Sequence, residues 1–173
     1  MADIFFIGDL HLGHKNIMNF GQRNFDTMEA HNQALMDNWN GVVTKQHDLV
    51  WVLGDVAMQI EDLELLRAFN GRKILVHGNH DKFDTQVYLK YFEKVVAFEK
   101  RYHGLVMTHI PIHPNELQYR NWEFNIHGHI HDKKKFPYDP RYINVCADLI
   151  NLTPICLDEV QTIMTDRRGE IDG

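Results

Sequence analysis

Short apolar runs that end abruptly in glycine and aspartate constrain this chain more than any other feature. The first run covers residues 4–7 and is followed by Gly8-Asp9, and a second covers residues 49–53 and is followed by Gly54-Asp55. Runs that are apolar on both faces are typical of strands buried between layers of an α/β fold. In such folds the ligand-binding loops gather at the carboxyl ends of the strands. The sequence therefore predicts an α/β fold with a buried parallel sheet and its functional residues at one edge.

Capping and turn signals between these runs complete an alternating pattern of strands and helices. Asp26 and Thr27 both have side chains that can cap the helix predicted after them. No internal repeat, low-complexity tract or Pro/Gly/Ser linker interrupts the chain, so we expect a single domain over residues 1–173. The other predicted elements are a helix over residues 61–69, a helix over residues 85–92, a hairpin joining residues 95–98 to residues 105–108, and a last helix from Thr153-Pro154 through Val160.

Composition limits the functions that are open to this chain. The formal net charge is -6, so the surface as a whole does not attract phosphate polymers, and a phosphorylated substrate would need a local positive centre such as bound metal. No stretch approaches the roughly 18 apolar residues that span a bilayer, and the N-terminus lacks the features of a signal peptide. Two cysteines, Cys146 and Cys156, do not make a disulfide framework in a chain of this size. We expect a cytoplasmic protein with no membrane partner.

Five polar blocks follow the apolar runs directly, and each carries nitrogen or oxygen donors. Asp9 and His11 are alternate residues, which point the same way in an extended segment and can aim at one ion. Asp55 has two carboxylate oxygens and can bridge two cations. Taken alone, each block is also compatible with a hydrogen-bonded loop, a turn or a helix cap. The expected metal ligands, in chain order, are Asp9, His11, Asp55, Asn79, His109, His127 and His129.

Together these donors predict a centre for two divalent transition-metal ions. Seven ligands exceed what one ion needs, and their nitrogen and oxygen atoms favour Mn²⁺, Fe, Zn²⁺, Ni²⁺ or Co²⁺, with Mn²⁺ expected first. Beside the centre, His80 is expected to act as a general acid. His14 and Arg23 are expected to contact the substrate. The lysine run at residues 133–135 is expected either to grip the substrate or to form a solvated loop.

The ordered series of blocks resembles the calcineurin-like metallophosphoesterase superfamily, and residues 9–17 and 144–154 resemble its short bacterial and phage branch. The resemblance implies a four-layer α-β-β-α sandwich of two mixed sheets. It implies that one ion is held by Asp9, His11 and His129, that the other is held by Asn79, His109 and His127, and that Asp55 bridges them. It also implies that a hydroxide between the ions attacks the phosphorus while His80 stabilises the phosphoryl group or protonates the leaving oxygen. The blocks that carry the resemblance are Asp9-x-His11, Gly54-Asp55, Gly78-Asn79-His80-Asp81, His109 and His127-Gly128-His129.

One departure from the family pattern narrows the range of activities. Gly54-Asp55 continues as Val56-Ala57-Met58, without the further Asp and Arg residues of the larger protein phosphatases in this superfamily. This departure argues against a phosphoprotein phosphatase and removes the usual orienting partner of His80. Asp81 could orient His80 instead, or could cap the helix that follows it.

The favoured hypothesis is a dinuclear-metal phosphoesterase that acts on a small diester or a nucleotide. A nuclease is the second hypothesis, although a net charge of -6 disfavours the basic groove that nucleic acid requires. The third is a scaffold of the same fold without catalysis, which would be expected to show a broken ligand set or a replaced His80. The sequence predicts no oligomeric state.

Overall fold

Two sheets form the frame of the molecule. A computed structural model describes residues 2–19, 23–101, 104–119, 122–132 and 138–171. The first sheet has the order β4-β3-β2-β1-β9, and the second has the order β5-β6-β7-β8. The strands are β1 (Ile4–Ile7), β2 (Leu49–Val52), β3 (Arg72–Val76), β4 (Lys94–Val96), β5 (Glu99–Arg101), β6 (Leu105–Met107), β7 (Phe124–His127), β8 (Tyr142–Asn144) and β9 (Ile155–Cys156).

Each sheet is mixed, as the family resemblance implied. In the first sheet, β1 to β4 pair in parallel and β9 pairs with β1 in the antiparallel direction. In the second, β6, β7 and β8 are parallel and β5 is antiparallel to β6. The helices are α1 (Met28–Val42), α2 (Thr85–Tyr88), α3 (Pro114–Tyr119) and α4 (Leu157–Ile171), with 3₁₀ segments at Lys15–Asn19, Glu61–Ala68 and Ala147–Leu149.

Alternation along the strands produces the four layers. On β1, Phe5 and Ile7 face a core shared with Leu35 and Trp39 of α1, whereas Phe6 faces the second sheet. Successive side chains of a strand point to opposite faces, so a strand between a helix and another sheet is apolar throughout. A smaller cluster of Val106, Tyr142 and Leu117 packs α3 on the far side of the second sheet. The α-β-β-α sandwich predicted from the resemblance is confirmed.

Several local predictions need correction. Thr27 does cap α1, because its side chain accepts a hydrogen bond from the Ala30 amide, but the segment predicted as a helix over residues 61–69 is 3₁₀. The predicted hairpin between residues 95–98 and 105–108 is wrong: β4 is the parallel edge of the first sheet, and β5 is the antiparallel partner of β6. The last helix begins at Leu157 rather than Thr153-Pro154, because Ile155 and Cys156 pair with β1.

Backbone hydrogen bonds join the two sheets beside the strand ends that carry the polar blocks. The Gly8 amide donates to the Val145 carbonyl (2.9 Å), and the Ala147 amide donates to the Gly8 carbonyl (3.0 Å). The end of β1 is thereby held against the end of β8. Among the described residues, every helix is too short or too polar to cross a bilayer.

Candidate metal centre

The loops after β1 and β7 bring three predicted or potential ligands together. Asp9 Oδ1 lies 3.9 Å from His11 Nε2 and 3.6 Å from His131 Nε2. Ligands that sit about 2.1 Å from a shared ion can be at most about 4.2 Å apart, so both distances are compatible with one ion. We call Asp9, His11 and His131 the Asp9 group.

A second group of donors forms where the loops after β3, β6 and β7 meet. Asn79 Oδ1 lies 2.8 Å from His109 Nε2, and the rings of His109 and His129 are 5.1 Å apart between centroids. The Nδ1 atom of His109 donates to the Leu53 carbonyl at 2.8 Å, which leaves Nε2 as the nitrogen that can bind a metal ion. We call Asn79, His109 and His129 the His109 group.

Asp55 lies between the two groups. Its Oδ2 atom is 3.7 Å from His11 Nε2, and its Oδ1 atom is 3.4 Å from His109 Nε2. Each oxygen of one carboxylate therefore faces a different group, which is the arrangement that a bridging ligand requires. Burial alone would raise the pKa of Asp55, but the hydrogen bond and charge of His109 outweigh it and lower the pKa to about 2. Asp55 therefore presents a charged carboxylate at neutral pH.

Three donor atoms of Asp9 and His11 fit a metal ion because they are buried and have no hydrogen-bond partner among the described residues. Asp9 Oδ2 accepts the His129 amide at 2.8 Å, but Asp9 Oδ1 and both ring nitrogens of His11 accept and donate nothing. Burial costs each unpaired polar atom free energy, and an isolated buried carboxylate costs more. Burial also raises the pKa of Asp9 to about 6 and lowers the pKa of His11 well below its usual range. A divalent ion between these atoms would supply the missing partner.

The backbone is strained at four of the candidate ligands. Asp9, His11, Asp55 and His129 all have left-handed backbone angles, with φ between 50° and 66°. Non-glycine residues in this region are uncommon, and strain of this kind concentrates at functional sites. Gly54 shows how closely the loops approach, because a Cβ atom there would lie 2.4 Å from His109 Nδ1. Local sequence alone does not favour these conformations, so the packed loops must hold them.

The structure groups the histidines differently from the ligand set that the resemblance implied. His131, rather than His129, lies with Asp9 and His11, and His129 takes the place that the resemblance gave to His127. The His127 ring instead places Nδ1 2.8 Å from the Gly128 carbonyl and meets the Tyr142 ring edge-on at 6.0 Å. Successive side chains of a strand point to opposite faces of the sheet. Because Phe124 and Ile126 face the other sheet, His127 faces the opposite side of β7, where Tyr142 also lies.

Two substitutions should show whether His131 or His127 is a metal ligand. His131→Ala is expected to lower the bound metal from two ions to one, because it removes a donor of the Asp9 group. His127→Gln is expected to keep both ions, since the His127 ring faces Tyr142. Metal analysis of the purified variants after equal loading measures both values. Loss of an ion in His127→Gln but not in His131→Ala would support the ligand set that the sequence indicated.

Arg23 is buried. It therefore cannot reach a substrate, and its predicted role in substrate binding is wrong. Only 1% of its surface is exposed, and its guanidinium donates to both carboxylate oxygens of Asp148 at 3.0 and 2.8 Å. It also donates to the Asp9 and Leu10 carbonyls. Arg23 is therefore a structural tie between the β1 loop and Asp148.

Asp148 extends this tie to the metal centre and was not anticipated from the sequence. Its Oδ2 atom lies 2.7 Å from His131 Nδ1, which turns His131 Nε2 toward Asp9. A carboxylate that holds the far nitrogen of a ligating imidazole fixes its orientation and raises its basicity. Burial opposes ionisation, but His131 and Arg23 outweigh it and hold the pKa of Asp148 well below its usual range. The signal was available, because Asp148 also follows an apolar run, over residues 142–147.

His80 and His14 border the centre without belonging to either donor group. The His80 ring is 5.7 Å from the His11 ring and 6.5 Å from the His14 ring, between centroids. Nδ1 of each is buried without a hydrogen-bond partner among the described residues. Both imidazoles therefore lie close to the candidate ligands.

Asp81 neither orients His80 nor caps the following helix. Its carboxylate accepts the amides of Gly78 (2.8 Å), Asp55 (3.0 Å) and Val56 (2.9 Å), while Asp84 caps α2. Asp81 thus joins the loop after β3 to the loop that carries Asp55. The lysine run at residues 133–135 lies outside the described residues.

The fold and the two donor groups define a metallophosphoesterase-type α/β sandwich with candidate sites for divalent ions. A model of the Calcineurin-like phosphoesterase superfamily domain matches residues 3–149. The chain belongs to this superfamily, whose members use divalent metals.

Three similar proteins each align with most of the chain. The uncharacterized protein MJ1445 of Methanocaldococcus jannaschii is 32% identical over 165 residues, covering 91% of this chain and 89% of its own length. The Gene 66 protein of Mycobacterium phage L5 is 31% identical over 165 residues, with coverage of 76% and 78%. The structure of AQ665 from Aquifex aeolicus, a protein of unknown function, superposes with a TM-score of 0.76 at 26% identity, covering 94% of this chain and 100% of that one.

Proposed function

We propose that this protein is a phosphoesterase that uses two divalent transition-metal ions to hydrolyse a small phosphodiester or a nucleotide. The observation that carries the proposal is the position of Asp55, whose two oxygens face the Asp9 group at 3.7 Å and the His109 group at 3.4 Å. Asp55 would hold two ions, which when bound would activate a water as nucleophile and neutralise charge that develops on the phosphoryl group. Because donors from both sheets are needed, we treat residues 1–173 as one catalytic unit.

The residues around the donors have distinct roles in the proposed reaction. His80 lies next to the Asp9 group and would donate a proton to the leaving oxygen. His14 lies on the same side and would contact a phosphate oxygen of the substrate. Asp81 and Asp148 would hold the ligand-bearing loops in place while the substrate binds. A net charge of -6 favours a small substrate over a nucleic acid polymer.

Removal of the metals should abolish activity. Chelator-stripped protein is expected to be inactive on a panel of phosphomonoesters and phosphodiesters, and Mn²⁺ is expected to restore more activity than Mg²⁺. Sites that mix imidazole with carboxylate accept first-row transition-metal ions, whereas Mg²⁺ prefers oxygen ligands and keeps its waters. The measurement is turnover after each metal is added back, with residual metal checked by elemental analysis. Full activity in Mg²⁺ alone, after verified removal of transition metals, would contradict the assigned centre.

A further inference from the structure

An apolar cleft opens beside the His109 group. Its volume is about 580 Å³, and its lining includes both Asn79 and His109 as well as the aromatic side chains of Phe98 and Trp122. Binding sites for small molecules occupy about 300–1,000 Å³, so the cleft is large enough for one. It is therefore continuous with the proposed catalytic centre and not a separate feature of the surface.

The aromatic wall of the cleft is unusually exposed. Phe98 is 57% exposed and Ile110 is 51% exposed. The rings of Phe98 and Trp122 lie 6.2 Å apart between centroids with an interplanar angle of 52°. Ala97 and Phe98 are the two residues that connect β4 of the first sheet to β5 of the second, so this wall stands where the chain crosses between the sheets. An exposed aromatic surface beside a catalytic centre is suited to a planar, apolar part of the substrate.

The charges of the cleft limit its occupant further. Among the described lining residues there is no lysine or arginine, and the charged side chain away from the donors is the carboxylate of Glu116. A neutral, flat group is favoured, and that group must be joined to a phosphate that reaches Asn79 and His109.

We propose that this cleft binds the nucleobase of a nucleotide phosphoester whose phosphate lies at the metal centre. The inference rests on the proposed phosphoesterase function and specifies the substrate class of that same site. A base stacked on an aromatic side chain is worth about 1–3 kcal/mol, which corresponds to roughly 5- to 150-fold in affinity. Phe98 is the residue expected to supply most of this contact, because its ring is the most exposed part of the wall.

Two diesters with the same leaving group test the proposal. Thymidine 5′-(4-nitrophenyl phosphate) and methyl 4-nitrophenyl phosphate both release nitrophenolate, and they differ by the nucleoside. In Mn²⁺ the kcat/KM of the protein is expected to be at least about tenfold higher for the nucleoside diester than for the methyl diester. A factor of this size matches the stacking contribution of one base. Phe98→Ala should reduce the ratio of the two kcat/KM values about tenfold, whereas Phe98→Trp should preserve it. Leu89→Ala is the matched control, since Leu89 is 40% exposed and lies outside the cleft.

The outcomes separate this inference from the function on which it rests. Hydrolysis of the methyl diester with no preference for the nucleoside, or an equal loss on both diesters in Phe98→Ala, overturns the nucleobase cleft and leaves the phosphoesterase standing. Calorimetric binding of thymidine 5′-monophosphate against methyl phosphate gives the same comparison without turnover, so the cleft is tested even if neither diester is cleaved. A dimer in light scattering that Phe98→Ala dissociates would show a second copy of the chain in the cleft and would also overturn the proposal.

Discussion

Asp55→Asn is expected to remove one of two bound ions and to lower turnover on the order of 10³-fold, since metal stabilisation of the transition state is worth several kcal/mol. Oδ1 of Asp55 accepts the His80 amide at 2.8 Å, so an asparagine would keep its carbonyl oxygen at that position. Its NH₂ group would then face His11, where Oδ2 now lies 3.7 Å from Nε2. An amide nitrogen cannot ligate, and the negative charge between the ions is lost as well. The loss should exceed that of a change at any ligand of a single ion.

Metal content and turnover should be measured together on the Asp55 variant. Asp37→Asn is a suitable control, because it makes the same chemical change on the exposed face of α1. The control should keep both ions and full turnover. An Asp55→Asn protein that still binds two ions tightly would remove the bridging role and with it the main support for a dinuclear centre.

His80→Ala is expected to lower turnover by about 10²–10⁴-fold while both ions stay bound, which is the usual contribution of a general acid. The His80 ring lies 5.7 Å from the His11 ring between centroids but belongs to neither donor group. The loss should shrink for nitrophenyl esters, because nitrophenolate leaves with little need of a proton. Turnover on a phosphate ester with an alkyl leaving group and on its nitrophenyl counterpart measures the difference.

Two results would contradict this role of His80. A metal-depleted His80→Ala protein would make His80 a ligand, and unchanged turnover on the alkyl ester would leave it without a catalytic part. His47→Ala is the matched control, since His47 is an exposed histidine in the turn before β2. This variant should match the original protein in both metal content and turnover.

The sequence predicted the fold and most of the neighbourhood of the centre because the pattern of each strand is local. The apolar runs that end in Asp9 and Asp55 became adjacent parallel strands, and the structure brings Asn79 and His109 into contact. The structure places His127 on the same face of β7 as Asn125, opposite the face of Phe124 and Ile126 that packs on the other sheet, and its role as a ligand stays a prediction. The alternate pair His129 and His131 repeats the spacing of Asp9 and His11.

Long-range contacts explain what could not be predicted from the sequence. Arg23 lies close to the predicted ligands in sequence, yet its partner Asp148 is 125 residues away, and only the closed sandwich shows that the two form a buried ion pair. His31 similarly belongs to no motif but lies 3.1 Å from the Arg23 guanidinium. Residue type and spacing identify the donors at strand ends. Whether a side chain such as Arg23 contacts the substrate or stabilises a loop depends on its burial in the folded protein.

The tie between Arg23 and Asp148 has a consequence for biosynthesis. Strands β1, β2 and β3 emerge from the ribosome early, before the residues that complete their domain have been made. At that stage Gly8 lacks its hydrogen bonds to Val145 and Ala147, and Arg23 has no carboxylate to pair with. His131 is likewise unsupported until Asp148 is translated. If the Asp9 group binds an ion, we therefore expect binding only once the chain is nearly complete, and nascent protein stalled before residue 148 is expected to hold no ion there.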